Sequence, residues 1–139
     1  MFKIQKYLGG RGAYPDPVLI PVAAGSAFVP GQAITISDGV GVICEGDVAA
    51  QYVSTAKLTA EDSTVGKQLL CYKVDENMVF EAPLSAHGPA VVVGAALTFA
   101  AGDAAGLSVT ATTASKGGAK IIDVNGAAAA GDLVLCTLA

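Results

Sequence analysis

A short motif recurs along this chain: a two-residue lead, a glycine, a polar residue, then a strand-like run. Its instances are Val29-Pro30-Gly31-Gln32, Cys44-Glu45-Gly46-Asp47, Ala100-Ala101-Gly102-Asp103 and Ala129-Ala130-Gly131-Asp132. Glycine reaches the positive-φ conformation of a tight turn at little steric cost, and the Asp or Gln after it can bond the turn backbone. No helical pattern follows these glycines, so they are not phosphate loops, which open onto a helix N-terminus. A chain punctuated in this way folds into many short strands.

The runs between the turns agree. Strand patterns occupy residues 18–22, 33–37, 40–44, 52–58, 69–74, 78–81, 90–93, 96–99, 107–113, 119–124 and 133–138. Pro21 places the first at a sheet edge. Asp38-Gly39 between two apolar runs is a strong hairpin signal. Asp75-Glu76-Asn77 between Leu69–Val74 and Met78–Glu81 predicts a second hairpin. Thr59-Ala60-Glu61-Asp62 resembles a capping box, but Gly66 leaves room for one helical turn at residues 60–65. About ten short strands with turns every 8–12 residues predict an all-β sandwich or small barrel.

The 139 residues suit one domain, expected over residues 18–139. Residues 1–17 differ and are expected to form an extended N-terminal arm. Gly9-Gly10-Arg11-Gly12 is a flexible hinge, and Tyr14-Pro15-Asp16-Pro17 is a stiff stem. Residues 1–25 carry Lys3, Lys6 and Arg11 against Asp16, whereas the whole chain is at −4. The arm's expected surface-binding residues are Phe2, Lys3, Ile4, Lys6, Tyr7, Leu8, Arg11 and Tyr14. The alternative, a first strand packed on the chain's own core, stays open. Only 14% of residues are charged, against a typical ~25%, which fits a surface partly covered by partners or one clothed in Ala, Ser, Thr and Gly.

Several classes of chemistry find no support in the sequence. Lys116 and Lys120 are the nearest approach to a basic patch, and nucleic-acid binding needs more clustered cations. The three cysteines, Cys44, Cys71 and Cys136, are odd in number and sit in apolar runs, as buried thiols do. No apolar stretch follows Met1–Lys6 as in a secretory leader. The uncharged run from Ala82 to Gly102 is broken by Pro83, Pro89 and Gly94, so a membrane helix is not expected. His87, the lone histidine, lies in a turn-like stretch without triad partners, and no Cys-x-x-Cys or Gly-x-Ser-x-Gly is present. Glu45/Asp47, Glu61/Asp62 and Asp75/Glu76 read as solvated turn acids, with calcium at one turn as the remaining possibility. No catalytic residue, cofactor or metal site is expected.

The pattern as a whole resembles a known family. Pro30-Gly31-Gln32-Ala33-Ile34-Thr35-Ile36 is followed by Cys71-Tyr72-Lys73-Val74-Asp75-Glu76-Asn77-Met78-Val79-Phe80-Glu81-Ala82-Pro83. Then come Val93-Gly94-Ala95-Ala96-Leu97-Thr98-Phe99, Ile121-Ile122-Asp123-Val124-Asn125-Gly126 and Ala129-Ala130-Gly131-Asp132-Leu133-Val134-Leu135-Cys136-Thr137-Leu138. From about residue 18 onward the chain is similar to the small decoration, or cement, proteins of tailed-bacteriophage heads. The resemblance implies a β-tulip or barrel-like fold and a homotrimer. It implies a virion protein, made in the host cytoplasm, that sits on the outer capsid surface and locks neighbouring major capsid protein subunits. It carries over no catalytic residue. The rival expectations are a receptor- or glycan-binding head fibre or adhesin module, another virion subunit such as a tail tube protein, and a hydrolase on a β scaffold.

Overall fold

The computed structural model of the chain describes residues 1–7 and 16–138. It contains strands β1 (Lys3–Tyr7), β2 (Val18–Pro21), β3 (Ala33–Ser37), β4 (Val40–Ile43), β5 (Tyr52–Ser54), β6 (Gln68–Lys73), β7 (Met78–Pro83), β8 (Ala96–Phe99), β9 (Val109–Thr113), β10 (Ala119–Asp123) and β11 (Leu133–Thr137). They form two antiparallel sheets, ordered β1-β7-β11-β10-β8-β9 and β2-β6-β5-β3-β4. The protein is an all-β sandwich, and neither sheet closes into a barrel. Among the described residues no helix is long and apolar enough to cross a membrane. The Ala82–Gly102 run holds the end of β7, a turn and β8.

The turn chemistry follows the sequence. Gly31, Gly46, Gly102 and Gly131 have φ of 78°, 69°, 68° and 89°. Asp38 and Gly39 both lie at positive φ, 51° and 81°, and Ser37 pairs with Val40. That is the primed two-residue hairpin whose twist matches its strands. Residues 60–62 form one turn, with the Thr59 hydroxyl accepting from the Asp62 amide at 3.2 Å and donating to its carboxylate at 2.8 Å.

Three expectations are corrected. First, β6 and β7 do not form a hairpin. β6 pairs with β2 and β5, whereas β7 pairs with β1 and β11. Residues 74–77 cross between the sheets, with the Val74 amide donating to Gln51 O at 2.9 Å and the Met78 amide to Asp75 O at 3.1 Å. Met78, Val79 and Phe80 are consecutive and fully buried. A strand covered on both faces belongs inside a sheet and not on a half-exposed hairpin.

Second, residues 90–93 turn between Pro89 and Gly94, leaving Val92 and Val93 exposed.

Third, residues 1–7 are not a free arm. β1 adds to the edge of β7, with Lys3 opposite Glu81, Ile4 opposite Phe80 and, past a bulge, Tyr7 opposite Met78. The Phe2 ring is buried edge-on against Phe80 and Phe99, at centroid distances of 6.4 and 5.6 Å. The Phe2 amide donates to Gly31 O at 2.8 Å, and the terminal amino group to Leu107 O at 2.7 Å. Burying one such ring stabilises by roughly 1.5–3 kcal/mol, enough to hold a segment that also gains ladder bonds. Residues 1–7 therefore pack as a strand of the sandwich, while the hinge and the first half of the stem, Tyr14-Pro15, lie outside the described residues.

Both sheets curl strongly. β2 and β4 are opposite edges of one sheet, yet Val22 bridges Gly41 in parallel. A Cβ on Gly41 would lie 2.7 Å from Ile20 Cδ1 and 3.2 Å from Ile34 Cγ2, so a larger residue there would have to displace these core side chains. Inside this curl lie Ile20, Phe28, Ile34, Leu58, Leu69 and Cys71. In the other sheet Leu84, just past β7, bridges Val109 of β9. The larger cluster, including Phe2, Phe80, Leu97, Phe99, Ile121 and Val134, fills that side.

Candidate functional site

The eight residues expected to bind a partner fall in different places. Phe2 is in the core, 2% exposed. Ile4 is half-buried against the larger cluster, and Lys3 is exposed. Lys6 and Tyr7 continue β1, with their backbones opposite Val79 and Met78. Leu8, Arg11 and Tyr14 lie outside the described residues. Phe2 therefore cannot fill a pocket on another subunit while the sheet is intact. The signal for this was the alternation of Phe2 and Ile4 with Lys3 and Gln5, the period of a half-buried strand. A depression of about 210 Å³ remains between β1 and the outer side of β5 and β6, bordered by Met1, Lys3, Ile4, Pro30, Thr55 and Tyr72.

Two of the turn acids, Asp132 and Asp47, bond mainly to backbone amides. Asp132 accepts from the amides of Ala128 and Ala129 at 2.9 and 3.0 Å. These bonds, with a smaller contribution from nearby His87, hold its carboxyl below the usual range. His87 itself is exposed in a loop. Asp47 reaches across to the loop after β9. One carboxylate oxygen accepts from the Ser115 amide and hydroxyl, both at 2.9 Å. The other accepts from the amides of Lys116 at 2.8 Å and Gly117 at 3.0 Å. Successive amides converging on one anion form a nest, and bonds to the charged form lower a pKa. The backbone bonds from Ser115 and Lys116 lead in pulling Asp47 down to about 2. Among the described residues no group of three or more His, Cys, Asp or Glu is placed to hold a metal ion. Cys44, Cys71 and Cys136 are free, buried and pushed up to about 12 by desolvation.

The outward-facing apolar residues were not singled out from the sequence. Leu19 on β2 is 58% exposed and lies directly opposite Leu70 of β6, itself 38% exposed. Their neighbours Ile20 and Leu69 point the other way, into the core, at 4% and 2%. On the six-stranded sheet Leu133, 42% exposed, lies opposite Pro83. The legible sign was the doubled apolar pairs Leu19-Ile20 and Leu69-Leu70, which put apolar side chains on both faces of a strand. No protein-family model matches the chain, and no curated protein matches it.

Proposed function

We propose that this chain is a structural virion protein that decorates the outer surface of a tailed-phage capsid, binding across neighbouring major capsid protein subunits as a homotrimer. The observation that carries the reading is the cross-strand pair Leu19–Leu70, held towards solvent on ordered strands. Such a pair offers apolar area that a protein partner would bury, and the low charge of the chain fits a covered surface. The fold agrees with the resemblance in its all-β class, although as a sandwich and not as a closed barrel, and the resemblance alone supplies the capsid as partner.

In this reading the protein acts by burying surface and not by chemistry. Light scattering should give a trimer mass for the purified chain, because lasting subunit contacts commonly bury more than ~2,000 Å². A monomer mass both free and on the capsid overturns the trimer. Electron microscopy of capsids mixed with the protein should show added density at the three-fold positions, and bare capsids at saturating protein overturn the decoration reading.

A further inference from the structure

A cleft of about 380 Å³ opens between the loop at residues 114–118 and the outer face of β10 and β11. Its walls carry Lys116 on the loop and Lys120 on β10, and Ala49, Ala50, Ala96 and Ala114 line its apolar side. Lys120 sits directly opposite Thr137 across β10–β11 and opposite Ala96 across β10–β8, so these side chains share one sheet face. The loop wall is held in place. The Lys116 amide is bonded to Asp47 at 2.8 Å, and Gly118 N donates to Val48 O at 2.6 Å. A Cβ on Gly117 would fall 2.2 Å from the Val48 carbonyl carbon, so loop and neighbour are in close backbone contact.

Two observations point to a ligand. Thr137 is 7% exposed, yet its hydroxyl has no hydrogen-bond partner among the described residues. It is not sealed in either, because Ser108 Oγ is the one fully enclosed unsatisfied side-chain atom among them. Thr137 lines the cleft, so its hydroxyl is open to a partner from the cleft side. The ammonium groups of Lys116 and Lys120 likewise lack an ion-pair partner among the described residues. Two cations without an ion-pair partner among the described residues, and a hydroxyl beside them on a preformed wall, suit an anion with several acceptor oxygens. The alanine side adds a requirement that inorganic phosphate does not meet, namely a short aliphatic stem to lie on it.

We infer that this cleft receives a carboxylate on an aliphatic stem, the side chain of a glutamate or aspartate in an acidic segment of a partner protein. The two ammonium groups and the Thr137 hydroxyl bond its oxygens, and the methylenes rest on the alanines. The inference stands apart from the capsid reading and needs no capsid for its test.

The full chain, labelled with nitrogen-15, is titrated with N-acetylglutamate N-methylamide, with its glutamine counterpart and with inorganic phosphate at matched ionic strength. The glutamate probe should give saturable amide shifts confined to residues 114–120 and 137, and the glutamine probe none. Lys116→Ala with Lys120→Ala should weaken the glutamate probe about tenfold or more, as expected for lost charge-assisted bonds. Both lysines are exposed, so the rest of the spectrum reports an intact fold. Thr137→Val, a near-isosteric change, should weaken it severalfold. The absence of saturable shifts, equal shifts from the glutamine probe, or unchanged binding in the double variant overturns the site. Saturation by phosphate without saturation by the glutamate probe overturns the carboxylate assignment.

Discussion

Asp47 joins the segment after β4 to the loop after β9 through four hydrogen bonds to one carboxylate. Its pKa of about 2 in the folded protein lies below the ordinary 3.8, so ionisation favours the folded state. The stabilisation is complete above the ordinary value, shrinks as pH falls through it, and is gone below about 2. Denaturation of wild type and Asp47→Asn from neutral pH downward should therefore give a stability gap that is constant near neutrality and narrows in acid. A gap that stays constant down to the lowest pH would show that ionised Asp47 does not support the fold. Glycine at this junction differs from glycine in an open turn. Gly117→Ala drives a methyl into the Val48–Ala49 backbone at 2.2–2.3 Å and should destabilise by about 3 kcal/mol, at the upper end for overpacking. Gly126 has φ +71° with open space around it, so its alanine variant should cost only the left-handed backbone term of about 1–2 kcal/mol. Chemical denaturation of the two variants checks the order.

Among the elements, local turn chemistry was legible and strand partnership was not. Asp38-Gly39 fixes the β3–β4 hairpin because both positive φ values are set by those two residues. Asp75–Asn77 looks similar, but nothing in three turn residues states which sheet the next strand joins. That choice is made by the buried run Met78-Val79-Phe80, whose partners β1 and β11 lie far away in sequence. β5 stops at Ser54, short of the expected residue 58. The Ser54 hydroxyl donates to Val29 O at 2.6 Å and accepts from the Gln32 amide at 3.0 Å, tying its strand end to a turn. The cleft beside Lys116 was half legible: both lysines stood out, but the alignment of Thr137 with Lys120 exists only through sheet register. For β1 the decisive residue is Phe2. Phe2→Ala should lower stability by about 3–5 kcal/mol, the usual cost of removing a buried phenyl ring. Thermal or urea unfolding reads this directly, and a change below about 1 kcal/mol, the range of surface substitutions, would return the segment to the status of an arm.

At the scale of the molecule, two curled sheets enclose two core clusters, and the cysteines sample both. Cys44 and Cys136 belong to the larger cluster and Cys71 to the smaller. All three should resist a thiol reagent at mildly alkaline pH in the native protein, because buried thiols near pKa 12 carry almost no thiolate. All three should titrate after denaturation. Faster modification of Cys71 than of the other two would show that the small sheet opens by itself.

The position of β1 also sets an order of events. It precedes the other ten strands, yet its ladder partner is β7, and the Met1 amino group bonds a carbonyl 106 residues further along. Phe2 packs on Phe80 and Phe99, so its docking needs β7 and β8 in place. A closure of such long range is costly in loop entropy, and an interaction absent from the transition state acts on the unfolding rate. Removing the Phe2 ring should then leave the refolding rate nearly unchanged and act almost wholly by speeding unfolding, so this edge strand serves as the catch that keeps the sandwich shut.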